Sequence, residues 1–167
     1  MNVSFTSIDP LNSKVVEAAT GRVLFEVSTP RWKLGHSTTT IKDPTGQVVA
    51  EYEPRLGHDM VTVHGYTTRK SEWLPKKSKW STDRVLTAPN GREFIWHAKW
   101  NNTFKLVPAD SESKDPVVEA QNWGLFSKSR RGGMTVQPEL MSFLDVILLS
   151  FLICHREQEA QGAAAAG

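Results

Sequence analysis

An antiparallel β-barrel wrapped around a single C-terminal helix is the fold class that the sequence predicts: mainly β, closed or nearly closed, with about 10–12 strands. Three observations predict it. In the segment 138–154, Leu140, Phe143, Leu144, Ile147, Leu148 and Phe151 recur at helical three- and four-residue steps, while Met141, Val146, Leu149 and Ile153 make the opposite side apolar too. A helix greasy on nearly every side has to be enclosed. Between Val3 and Val136, by contrast, short β-branched and aromatic runs are cut by Gly, Pro, Asn or Asp at intervals of about 8–12 residues, the pattern of antiparallel all-β domains. The third observation joins the two. One sheet covers one side of a helix roughly 10 Å across, whereas a barrel of ten or more strands surrounds it.

The elements follow in order. Val3 to Ile8 alternates apolar and polar residues, and Asp9-Pro10-Leu11-Asn12 then turns. Arg22 to Ser28 is the next strand, opened by Gly21 and stopped by Pro30. Ser37–Lys42 and Gln47–Tyr52 flank Asp43-Pro44-Thr45-Gly46, where an early proline and a late glycine specify a hairpin. Met60–Val63 and Tyr66–Trp73 are shorter strands. Arg84–Ala88 and Arg92–Ala98 flank Pro89-Asn90-Gly91, a second hairpin turn of the same kind. Pro44 and Pro89, like Gly46 and Gly91, stand 45 residues apart, a faint internal repeat. Thr103–Val107, Val117–Ala120 and Met134–Val136 complete the strands, with a polar loop over Ala109–Asp115 and a loop or edge piece running through Trp123. Gly132-Gly133 reads as a turn.

The helix is expected over 138–158, with Pro138 in its first turn and Glu139 beside the positive end of its dipole. Its apolar run, Leu140 to Cys154, covers about 22 Å, less than the roughly 30 Å hydrocarbon core, and carries Asp145. It reads as the plug of a soluble core rather than a tail anchor. Asp145 must meet a donor, face a wet barrel mouth or mark a polar cavity. Residues 1–160 are expected to be one domain and 161–167, ending in Ala and Gly, a disordered tail.

Composition narrows the function. The 167 residues carry 20 Lys and Arg against 18 Asp and Glu, a net charge of +2 that supplies no global field for nucleic acid. Cys154 is the single cysteine, so no internal disulfide framework exists. Met1-Asn2-Val3-Ser4-Phe5-Thr6 shows no secretory pattern, and the expected location is intracellular, cytoplasmic or membrane-peripheral. Six tryptophans, Trp32, Trp73, Trp80, Trp96, Trp100 and Trp123, spread along the chain as members of one shared core.

Arg69-Lys70-Ser71-Glu72-Trp73-Leu74, followed by the strand, turn and aromatic strand from Arg84 to Trp96, resembles a motif set of an uncharacterised family of small fungal, basidiomycete-type proteins of unknown function. With many strands and one apolar C-terminal helix, residues 20–158 also resemble the tubby C-terminal-like superfamily, which includes the tubby, phospholipid scramblase and LURP-one-related proteins. The resemblance implies a twelve-stranded barrel enclosing that helix. The basic phosphoinositide pocket of the tubby branch has no residue-by-residue counterpart here, so lipid binding is not inherited with the fold.

No assembled nucleophile, zinc spacing or phosphate loop stands out, and neither enzyme activity, a metal nor a cofactor is expected. His36, His58, His64, His97 and His155 read as surface or satisfied side chains. The charged cluster that stands out is Arg69, Lys70, Trp73, Lys76, Lys77, Lys79 and Trp80, where cations alternate with tryptophans, and Lys128, Arg130 and Arg131 form a second basic group. Amphipathic aromatics sit at headgroup level, and lysines are drawn to anionic leaflets. The expected function is a noncatalytic, peripheral binding module for an anionic phospholipid headgroup. A protein-interaction or regulatory module without lipid is the alternative, and an enzyme of unrecognised class the third reading. A solvated loop with its tryptophans tucked inward is the structural alternative for the cluster.

Overall fold

The computed structural model describes residues 1–31, 36–99, 101–113, 115–121 and 132–167. Twelve strands form one antiparallel sheet: β1 (Asn2–Phe5), β2 (Ser13–Glu17), β3 (Val23–Ser28), β4 (Thr39–Lys42), β5 (Val48–Glu53), β6 (Met60–Val63), β7 (Tyr66–Arg69), β8 (Arg84–Thr87), β9 (Glu93–Ala98), β10 (Phe104–Pro108), β11 (Val118–Gln121) and β12 (Gly133–Val136). A one-turn helix α1 (Lys70–Trp73) follows β7, and a 3-10 turn (Pro138–Phe143) leads into the long helix α2 (Leu144–Ala166).

The sheet consists of two meanders. β1 to β7 pair in sequence, as do β8 to β12, and β1 joins the halves by pairing with β12, Val3 opposite Met134. β7 and β8 are the two edges, and the connection 70–83 runs between them. The period of two expected for strands with one buried face is visible in each half. Val3 and Phe5, Ala50 and Tyr52, Phe94 and Trp96, Phe104 and Leu106, and Val118 and Ala120 are buried, each pair separated by a more exposed residue.

Their common target is α2, where every residue from Val146 to His155 is buried. Phe151 lies at its centre, with the rings of Phe5 at 6.1 Å, Trp96 at 6.2 Å and Phe104 edge-on at 5.3 Å. Enclosing a side chain of this size is worth about 1.5–3 kcal/mol. The one hydroxyl in this stretch is satisfied locally: the Trp96 indole donates to Ser150 Oγ at 2.8 Å, and that hydroxyl donates to the Ile147 carbonyl at 2.8 Å. The helix, with its preceding turn, is long and apolar enough to cross a bilayer, but 78% of its most apolar window is buried inside the protein.

Several local readings need correction. Ser13–Glu17 is a strand that the sequence reading passed over, although Lys14, Val15 and Val16 offered a short β-rich run. The strand expected over Tyr66–Trp73 ends at Arg69, because the chain coils into α1 and turns Lys70 inward. Gly132-Gly133 is no turn: Gly133 begins β12, and a Cβ there would stand 3.0 Å from the Val3 carbonyl, so glycine permits the close approach of β1. The tail expected to be disordered from 161 is helical through Ala166, as the strong helix propensity of alanine favours.

Asp145 is not mid-helix. The 3-10 turn places it in the first turn of α2, where its carboxylate accepts the Val146 N–H at 2.8 Å and meets His64 Nε2 at 2.6 Å. A charge-favouring helix start and a histidine partner together resolve its burial. Trp32, Trp100 and Trp123 lie outside the described residues.

Candidate functional site

Antiparallel pairing sorts the connections between the two ends of the sheet. Around the start of α2 lie the hairpin turns 18–22, 43–47, 64–65 and 88–92, all of two to five residues, and the longer 109–117. Around its far end lie the connections 6–12, 54–59, 70–83 and 99–103; β3 and β11 also leave the sheet there, and β4 and β12 re-enter it. Long loops on a rigid scaffold are where binding groups concentrate. The helix itself reinforces the asymmetry, since His155-Arg156-Glu157-Gln158-Glu159 follows the apolar run directly and delivers its polar atoms to the long-loop end.

Glu157 organises that end. Arg84, from the first position of β8, grips its carboxylate through two nitrogens at 3.0 and 2.6 Å and donates a further hydrogen bond to the Leu74 carbonyl at 3.2 Å. Lys70, just beyond β7, donates to the same carboxylate at 2.7 Å and pairs with Asp59 at 3.1 Å. One acid on the helix thus bridges the two edge strands of the sheet. Tyr52 donates to Asp59 at 2.7 Å, extending the network into β5. Burial pushes the Asp59 carboxyl up, but hydrogen bonds from Tyr52 and Lys70 outweigh it and hold the group below the usual carboxylate range. Burial, followed by the hydrogen bond to Asp59, pushes the Tyr52 phenol up instead. Arg156 lies 5.1 Å from the Tyr52 ring centre and donates to the Ser37 carbonyl at 2.9 Å and to Thr39 Oγ1 at 3.0 Å.

This network divides the basic cluster predicted from sequence. Lys70 is half-buried and doubly ion-paired, so it belongs to the network that ties the two sheet edges to the helix rather than to a free surface. Trp73 packs partly buried against the core. Arg69, Lys76, Lys77, Lys79 and Trp80 are exposed, and none of the four cations has an ion pair among the described residues. Trp80 is 89% exposed, with the Lys79 ammonium 5.4 Å from its ring centre. Lys128, Arg130 and Arg131 lie outside the described residues. The flanks of their segment, Gln121 and Gly133, are paired with each other at the long-loop end.

The exposed loop is anchored at both sides. Leu74 is fully buried, the Val85 N–H donates to the Pro75 carbonyl at 2.8 Å, and the Lys77 N–H donates to the Asp83 carbonyl at 2.9 Å. Lys76 bridges Arg84, so the segment adds a partial strand along the free edge of β8. Beyond these contacts the tip 78–80 is held, among the described residues, by a single backbone hydrogen bond, Ser81 N–H to the Ser78 carbonyl at 3.1 Å.

Sequence reasoning missed a second feature of this end, a cleft of about 1270 Å³ between the 6–12 connection, Thr29, Pro30, Arg31 and the last turns of α2. Asp9 and Arg31 pair at its rim at 2.5 Å, while Arg156 and Glu159 line it from the helix. The polar pentapeptide after the apolar run was the available signal. Among the described residues, no group of three or more His, Cys, Asp or Glu side chains could hold a metal ion. Cys154 is buried, and that burial pushes its thiol well above the ordinary value, so it is a packing group rather than a nucleophile.

A family model described as a family of unknown function (DUF6593) matches residues 8–160, and the chain belongs to that family. No curated protein matches the chain. Among solved structures, the X-ray structure of the protein AT5G01750 from Arabidopsis thaliana is similar, with 15% identity over 88% of each chain and a TM-score of 0.44.

Proposed function

We propose that this member of the DUF6593 family is a noncatalytic binding module that docks peripherally on anionic phospholipid headgroups through the loop 76–80. The supporting observation is Trp80, 89% exposed and flanked in sequence by Lys76, Lys77 and Lys79, none of which is ion-paired among the described residues. An apolar ring left in water is costly unless something covers it, and an indole suits the headgroup boundary. Each lysine near an anionic leaflet contributes about 1 kcal/mol, so the three supply about 3 kcal/mol, enough for reversible and salt-sensitive attachment. Arg69, the last residue of the edge strand β7, is a further exposed cation. The buried network behind the loop gives it a rigid backing, since Leu74 and Arg84 hold its root.

The finer family reading belongs to the same proposal. Twelve strands around one apolar C-terminal helix, together with the Trp73-Leu74 and Arg84–Trp96 motifs, support placing the chain among the tubby C-terminal-like proteins and assigning it a fungal source and an intracellular, membrane-peripheral location.

Co-sedimentation with phosphatidylcholine vesicles, with and without phosphatidylserine, tests the docking. Binding is expected only with the anionic lipid, lost in the triple variant K76E/K77E/K79E and weakened in Trp80→Ala. Undiminished binding by the triple variant sinks the site. Recovery of one acidic protein partner in the absence of lipid, with no vesicle binding, favours the protein-interaction alternative.

A further inference from the structure

We propose that Ser78 is a phosphoacceptor whose modification releases the loop 76–80 from an anionic surface. This inference rests on the docking reading above and names the regulation of that same site.

Ser78 stands in the centre of the basic tip, with Lys76 and Lys77 before it and Lys79 after it. It is exposed, and its hydroxyl makes no hydrogen bond among the described residues. Its neighbour Ser81 differs: that hydroxyl accepts the Asp83 N–H at 3.0 Å. No acid lies between Glu72 and Asp83, and Asp83 is already engaged by His97 at 2.8 Å. A kinase whose substrate groove is acidic meets a serine surrounded by cations and by nothing that repels it. Reaching an extended, kinase-accessible shape requires breaking the Ser81 to Ser78 and Lys77 to Asp83 backbone bonds, while the buried Leu74 and the Pro75 bond to Val85 stay in place.

The chemistry is a phosphoryl transfer from magnesium-bound ATP. Ser78 Oγ attacks the γ-phosphorus, the Oγ–P bond forms, and the bond from that phosphorus to the β,γ-bridging oxygen breaks. ADP leaves with the bridging oxygen, and the serine proton passes to a base of the kinase. The product carries a charge of about −1.5 to −2. Set among three lysines, it cancels about half to two thirds of the local positive charge and presents a phosphate to a leaflet that repels it. At the cost per charge expected for a surface lysine, attachment weakens about ten- to thirtyfold.

The test uses the full chain in three forms, unmodified, Ser78→Ala, and with phosphoserine incorporated at 78, in co-sedimentation with phosphatidylcholine and phosphatidylserine vesicles. In parallel, the folded chain is treated with a lysine-directed kinase and magnesium ATP, and its phosphates are mapped by mass spectrometry. The expected result is equal binding by the unmodified and alanine forms, about ten- to thirtyfold weaker binding by the phosphoserine form, and Ser78 as the first residue modified. Equal binding by all three forms overturns the switch and leaves the docking site standing. No binding by the unmodified chain overturns the docking site and the switch with it. A folded chain that the kinase leaves untouched at Ser78, when it modifies a 73–83 peptide there, overturns the phosphoacceptor assignment.

Discussion

The two ends of this molecule are built on different physics. At the end where α2 begins, the strands are joined mostly by tight hairpins, and Gly46 and Gly91 take φ values of 87° and 81° that an L side chain rarely adopts. Stability there is local: each turn is specified by a few adjacent residues. At the end where α2 leaves the sheet, the connections are mostly longer, and order depends on a carboxylate from the helix reaching two cations at the edge strands β7 and β8. The partners there are far apart in sequence, Lys70 and Glu157 by 87 positions. One end tolerates change in its neighbours because it is self-sufficient. The other holds an exposed, cationic tip only because the network behind it is satisfied.

The contrast breaks most sharply at Glu157. Replacing it with alanine leaves Arg84, nine-tenths buried, facing Lys70 without the shared acid, and about 3 kcal/mol of stability is expected to go. Urea denaturation gives the number, and a loss as small as that of a surface substitution would show that the helix does not fasten the sheet edges. Gly91→Ala, at the opposite end, meets no atom within 4 Å, so its cost is confined to the backbone, about 1–2 kcal/mol. The same value is expected for Gly46→Ala, because the two hairpins repeat one another. Thermal melts of both variants that differ by more than twofold in cost would deny the repeat its structural meaning.

A smaller effect sharpens the comparison through pH. The carboxyl of Asp59 is held below its ordinary value of 3.8 in the folded chain, so its contribution is present above that value and is lost as pH falls through the folded pKa. Asp59→Asn is therefore expected to cost about 1 kcal/mol at neutral pH and to flatten the acid limb of the stability profile. An acid limb identical to the parent's would mean that its hydrogen bonds with Tyr52 and Lys70 do not persist in solution.

Much of the architecture was legible before any coordinates. The helix announced its enclosure because apolar residues cover all of its sides, and the two proline-to-glycine hairpins announced themselves because turn chemistry is local. β2 escaped notice because five residues with one clear inward valine carry little periodic signal. The candidate site was legible as a cluster but not as a surface. Arg69 and Lys70 are adjacent and chemically alike, yet one is exposed and the other doubly paired; Trp73 and Trp80 divide in the same way, one packed against the core and one in water.

By itself, then, the order of residues determined that strands would alternate inward and outward and that an apolar rod would sit among them, since a period of two or of 3.6 is a property of neighbouring positions. Tertiary structure alone decided that Asp145 meets His64, that Glu157 joins Lys70 to Arg84, and that Lys76, Lys77 and Lys79, near Trp80 in sequence, have no ion pair among the described residues. Those outcomes depend on which ends of distant strands the wrapped sheet brings together around its helix, and a charge acquires its role from the partner that such closure places within reach.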